Sequence, residues 1–204
     1  MSFLSKFTVK PWEHAGEMEG LHGEVINARW PGRTGLFMFL AVISSMFLLF
    51  IITYHTRSQF PDWEMLTDPR ILWLNTAVLI LASVAMQMAS KAAKRDSMAA
   101  MRNSLLAGGV LTLAFIAGQY MAWEQLRAAG YYAAENPANA FFYLFTGLHA
   151  LHLVGGMWFL VQLGFGLNRS DKKEKVQRGV VLCATYWHYL LLVWLVLFTL
   201  LLRT

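Results

Sequence analysis

The sequence predicts an all-α integral membrane protein, a bundle of five helices, and three observations carry that reading. The 204 residues are 57% hydrophobic and only 14% charged, against roughly 45–50% and about 25% in soluble domains. Five apolar runs, each able to cross the roughly 30 Å hydrocarbon layer, follow one another between short polar segments. Lys and Arg gather beside those runs rather than on them, which is the distribution of a membrane protein and not of a nucleic-acid binder, despite a formal charge of +5.

The first 33 residues form a polar arm that carries Glu13, Glu17, Glu19, Glu24, His14 and His22 among Trp12 and Trp30. No early apolar core with a small-residue cleavage site marks a signal peptide. The arm suits an interfacial or partner-bound segment, and Pro31-Gly32 punctuates its end. The remainder, 34–204, is the membrane domain, with spans expected at about 34–54, 70–90, 103–123, 140–167 and 179–202.

The first span carries no charge and holds Ser44 and Ser45 at mid-depth, placed to bond a preceding carbonyl or a neighbouring helix. The loop from His55 to Pro69 contains Arg57, Asp62 and Glu64. In the second span Asn75 and Gln87 are the expected buried polar residues, and the connection after it holds Lys91, Lys94, Arg95 and Arg102. The third span offers close approach at Gly108, Gly109 and Gly118, with Gln119 and Glu124 near its far end. At about 28 residues the fourth is longer than a crossing requires, which predicts tilt or protrusion. A basic hinge from Asn168 to Arg178 leads into the fifth.

With five spans, the arm and the second and fourth loops share a side. That side holds 13 of the 17 basic residues, which predicts a cytoplasmic N-terminus and a C-terminus on the periplasmic or extracellular side. A bacterial-type inner (plasma) membrane, crossed several times, is the expected location. Cys183 is the single cysteine; it excludes an internal disulfide and a cysteine-based metal cluster.

Residues 141–160, FFYLFTGLHALHLVGGMWFL, pose the functional question. His149 and His152 lie three apart and share a helix face with Thr146 and Gly156 close by. Imidazole at hydrocarbon depth needs a partner. A heme held by His188 and one of the pair is conceivable, as is a copper or zinc site from His149, His152 and His188. Against a single heme sandwiched by the pair, His149 and His152 sit on one helix. Histidines bonded to neighbouring helices, lipid headgroups or another subunit are the plainer reading. Glu124 reads as a proton-relay carboxylate, an anchor for a basic partner, or an interfacial side chain beside Trp123. Trp187 and Trp194, a heptad apart, mark one packing stripe on the last span. No phosphate-binding loop, nucleophile elbow or paired intramembrane carboxylates occur. The chain reads as a subunit without a catalytic centre of its own.

FFYLFTGLHALHLVGG resembles the TG(F/L)HG(L/A)H signature of subunit III of the heme–copper oxidases. Tyr186-Trp187-His188-Tyr189 with Val193-Trp194 is similar to that family's second signature, and Leu74-Asn75-Thr76, Gln119, Glu124 and residues 35–47 match further motifs. The resemblance covers nearly all five spans and implies the short form of a cytochrome c oxidase subunit 3, lacking the first two of seven helices. It implies an accessory subunit without redox centres, beside a catalytic subunit I and other subunits of the respiratory complex. Heme and copper would belong to those partners. It further implies bound phospholipid and support of proton uptake and oxygen access. Two positions depart from the family pattern: its glutamate in the first of these helices falls on Ser44 or Ser45, and its aspartate in the last falls on Leu191. Both leave a less polar interior and favour a scaffold role over a proton-conducting one.

The residues singled out for helix or lipid interfaces are therefore His149, His152, His188, Trp187, Tyr186, Glu124, Gln119, Thr146, Gly147, Gly155, Gly156 and Asn75, with no catalytic, cofactor or metal residue. Other readings compatible with the sequence are subunit III of a quinol oxidase, an accessory subunit of a nitric oxide reductase, a di-heme cytochrome b anchor and a small transporter.

Overall fold

The computed structural model describes residues 31–63, 70–166 and 173–202, and among them every regular element is helical. The helices are α1 (Pro31–Arg57), α2 (Ile71–Lys94), α3 (Met98–Ala128), α4 (Pro137–Gly166) and α5 (Lys173–Leu202). Each is long and apolar enough to cross a membrane. The polar arm lies outside the described residues except at its last three positions, and so do residues 168–172 of the basic hinge.

The helices outrun the apolar stretches. α1 runs on through His55 and Arg57, which the sequence assigns to a loop, and α3 starts at Met98 rather than near Asn103. Hydropathy marks the hydrocarbon layer, whereas the ladder of backbone hydrogen bonds continues into the headgroup region wherever nothing breaks it. The connection between α2 and α3 consequently shrinks to three residues, 95–97. Asp96 there adopts φ 57°, and the amides of Ser97 and Asp96 bond the carbonyls of Ala92 and Ala93 at 3.1 and 3.3 Å. These are the 6→1 and 5→2 bonds of a Schellman cap. Gly130 (φ 89°) closes α3 in the same way, with the Tyr131 amide on Leu126 O and its own on Arg127 O, both at 3.0 Å.

The chain divides into two compact units, Met1–Val42 and Ile43–Thr204. In the first, the Arg33 guanidinium lies 5.6 Å above the Phe37 ring. In the second, α2 packs closely on α3 and α5, and α4 on α3 and α5. The C-terminal half of α1 meets α4 through rings, Phe47 on His152 and Tyr54 on Phe141. Its outward residues Leu48, Leu49 and Ile52 are exposed, as are Val110, Leu113, Leu151 and Trp158 on α3 and α4. An exposed apolar belt of this kind is what a bilayer solvates. The core is made from Trp187, Trp194, Phe115, Phe142, Phe145 and Leu153, all fully buried.

Candidate functional site

The residues that carry the two histidine motifs converge where α4 and α5 meet α2 and α3. Trp187 and Trp194 both point inward, two turns apart on one stripe of α5. The Trp187 indole N–H donates to Thr112 Oγ1 on α3 at 3.0 Å, and the Trp194 indole N–H to Thr76 Oγ1 on α2 at 2.9 Å. Each threonine passes its own hydroxyl proton to a carbonyl one turn back, Gly108 O and Leu72 O, both at 2.8 Å. Trp123 and Thr146 repeat the arrangement between α3 and α4 at 2.9 Å, with Thr146 donating to Phe142 O at 2.7 Å. In all three pairs a bulky ring fills the helix interface while its single polar proton is satisfied without water.

His149 is fully buried. Its ring lies 5.1 Å from that of Trp194 and meets Phe115 edge-on at 5.8 Å. Neither ring nitrogen has a hydrogen-bond partner among the described residues, and the same holds for both amide atoms of buried Gln119. Among the described residues His149 thus makes no hydrogen bond to a neighbouring helix, and aromatic packing surrounds it instead. His152 is half-buried and bonds through Nδ1 to Leu148 O of its own helix at 2.7 Å, with no side-chain bond to an adjoining helix among the described residues. Its main-chain carbonyl instead accepts from the Tyr186 hydroxyl at 3.0 Å, which ties α4 to α5.

His188 faces α2 and not α4. Trp187 occupies the inward stripe of α5, and the next residue is turned away by about 100°. The Nε2–H of His188 donates to Gln87 Oε1 at 3.0 Å, which leaves Nδ1 to accept from the Ser83 hydroxyl at 2.5 Å. Gln87, expected to be buried, is exposed, whereas Asn75 is buried as its position suggests. The Asn75 amide reaches Phe115 O only at 3.5 Å, and its side chain fills the space beside Gly118, where a Cβ would collide with it. Gly156 admits the rings of Tyr186 and Trp187: a Cβ there would stand 2.7 and 3.1 Å from them. Gly155 faces open space and Gly147 has only the Trp123 ring, at 3.9 Å. Glu124 is exposed at the end of α3 and pairs with Arg127 at 2.6 Å.

Sequence reasoning left Thr112 and Ser83 unnamed and noticed Thr76 only as part of a motif. A hydroxyl in mid-span, at the depth of an indole in another span, is the signal that marks such residues. Cys183 is buried and free. No group of three or more His, Cys, Asp or Glu placed to hold a metal occurs among the described residues.

Five crossing-competent helices among the described residues, four of them (α2 to α5) joined by indole–hydroxyl pairs, define a multi-pass helical membrane protein. The family model described as Cytochrome c oxidase subunit III matches residues 9–203, and the chain belongs to that family. It is 27% identical over 192 residues to the Cytochrome c oxidase subunit 3 of Triticum aestivum, covering 89% of this chain and 71% of the relative. With the Synechocystis protein of the same name it shares 27% over 191 residues, 91% and 79% of the two chains. A probable cytochrome c oxidase subunit 3 of Mycobacterium bovis is 29% identical over 124 residues, 61% of each chain. Membership makes this chain an accessory subunit of a terminal oxidase, associated with other oxidase subunits.

Proposed function

We propose that this subunit acts as a lipid-solvated scaffold for the catalytic subunit of a respiratory oxidase that reduces dioxygen, with the hemes and copper in its partners. The observation that carries this reading is the use to which the motif residues are put. Trp187, Trp194, Thr146 and Tyr186 each form a buried or half-buried bond to another helix. The nitrogens of His188 are both engaged by Ser83 and Gln87. Side chains committed in this way hold helices at fixed separations; none is free to bind and release a substrate. Phospholipid would cover the apolar belt and the open cleft of about 170 Å³ between α1 and α5, lined by Ser44, Phe47, Ile51, Leu192 and Val196. Support of proton uptake and oxygen access would follow from keeping the catalytic subunit and its lipids in place. The charge asymmetry supports a cytoplasmic N-terminus and a C-terminus on the opposite side.

The decisive experiment is extraction in mild detergent. Hemes should co-purify with the chain, and the separated chain should show no Soret band. A complex without heme, or a Soret band retained by the chain alone, overturns the proposal. Replacing His149 and His152 together should harm assembly or the durability of turnover more than the initial rate of oxygen reduction. The relatives named for cytochrome c favour it over quinol as the electron donor of the complex.

A further inference from the structure

One patch on the outside of this chain does not suit lipid. Gln87 and His188 are both exposed, and both sit inside the apolar layer. Gln87 lies seven residues, about 10 Å, before the end of α2, and His188 ten residues, about 15 Å, beyond Arg178 on the antiparallel α5. The other exposed residues at such depths on α3 and α4, Val110, Leu113, Leu151 and Trp158, are apolar. Here the sequence instead places an imidazole and a primary amide side by side.

Their hydrogen bonds show which atom is left over. His188 donates through Nε2 to Gln87 Oε1 and accepts through Nδ1 from Ser83. The imidazole is therefore complete, its tautomer set by its two neighbours. The Gln87 carbonyl is engaged, and this fixes the orientation of its amide. The Gln87 NH2 group, with two N–H donors, has no partner among the described residues. Acyl chains accept no hydrogen bonds, so a primary amide held in them is costly, and polar side chains at this depth turn toward protein. Val84, one turn before Gln87 on α2, is exposed and supplies an apolar margin beside the amide, the mixture found where one membrane helix seats on another.

We propose that the α2/α5 face centred on Gln87 and His188 seats a transmembrane helix of a partner oxidase subunit that presents a hydrogen-bond acceptor to the Gln87 amide. The acceptor is a side-chain carbonyl, hydroxyl or carboxylate, since the partner helix's own main-chain carbonyls are already bonded. This rests on the accessory-subunit reading above and adds the face by which the subunit is held.

The test uses the whole complex in its native membrane. A photoreactive p-benzoylphenylalanine is placed at Val84, and for comparison at Leu113 and at Trp158. Irradiation should join position 84 to a heme-bearing polypeptide, while positions 113 and 158 label lipid. Labelling from position 84 confined to lipid, or to a second copy of this chain, overturns the proposal. Independently, Gln87→Leu should lower several-fold the fraction of the complex that retains this chain through detergent extraction, and Leu113→Ala should leave it unchanged; equal retention by Gln87→Leu and the native chain also overturns it. If no heme-bearing polypeptide accompanies the native chain, the accessory-subunit reading fails. A cross-link from position 84 to another membrane protein would then still establish the docking face.

Discussion

Trp194 on α5 donates its indole proton to Thr76 on α2 across 2.9 Å, and Thr76 donates its own to Leu72 O across 2.8 Å. The threonine hydroxyl is both acceptor and donor, so its loss strands the indole N–H in a dry interface. Thr76→Val keeps the shape and removes the acceptor; it should cost about 1–3 kcal/mol. Adding Trp194→Phe should recover part of that loss, with a coupling of about 0.6–1.7 kcal/mol. A double-mutant cycle on unfolding in mixed detergent measures it, and a coupling of zero would show that the pair is mere proximity.

Adjacent glycines should answer differently to one methyl group. At Gly156 the methyl would stand 2.7 Å from Tyr186 Cε1 and 3.1 Å from the Trp187 ring, and neither ring is free to swing aside. Gly156→Ala should destabilise by about 1–3 kcal/mol. Gly155 has nothing within 4 Å, and Gly155→Ala should be neutral or stabilise by up to about 1 kcal/mol through helix propensity. Thermal midpoints of the two variants decide the matter; equal shifts would contradict the packing described.

His149 sits against Trp194 and Phe115, and its two nitrogens have no partner among the described residues. His149→Leu removes those nitrogens at similar volume and should leave the midpoint equal to or above that of the native chain, because the desolvation cost of about 1–3 kcal/mol disappears. His149→Ala should lose about 2–5 kcal/mol to the cavity it opens. Were Leu to prove as damaging as Ala, the imidazole would have to hold a polar partner in the assembled complex.

Beyond the end of α1, the two guanidinium nitrogens of Arg57 grip both oxygens of Asp62. That hydrogen bonding holds the carboxyl below its ordinary range. A group whose pKa is depressed on folding contributes stability above its unfolded value, near pH 4, and the contribution vanishes as pH falls through the lower folded value. The native chain should therefore lose more stability than Asp62→Asn on acidification from about pH 5 downward. The pair is solvent-exposed, so added salt should shrink the difference. Midpoints across a pH series at low and high salt check both statements.

The apolar runs were readable because hydrocarbon imposes a length and a composition on anything that crosses it. The ends of the helices were not. Asp96 takes a left-handed backbone that sequence signals reserve for glycine, so a three-residue connection reads in the sequence as a loop of about twelve, 91–102. Within the site, the spacing of His149 and His152 placed them near one face, yet three residues leave a 60° offset, enough to bury one ring and leave the other half-exposed. Which helix His188 would meet depended on where Trp187 pointed, and that is decided by the packing of α5 against three other helices. The roles of Thr76 and Thr112 were legible only by setting their depth against the indoles of another span, since a threonine in a membrane helix can satisfy itself by bonding back one turn.

The indole bonds of α5 also bear on how the chain is made. Thr76 and Thr112 belong to a hairpin that leaves the ribosome tens of residues before Trp187 and Trp194 do. Until α5 has emerged, α2 and α3 have no ring to fill the groove above those hydroxyls, and Gly156 of α4 has no neighbour to receive. Helix α5, Lys173–Leu202, thus acts as the closing member of a vectorially assembled bundle. A ribosome stalled before it would release a membrane-inserted but unlocked intermediate, with its interior seam open to the quality-control proteases of the bilayer.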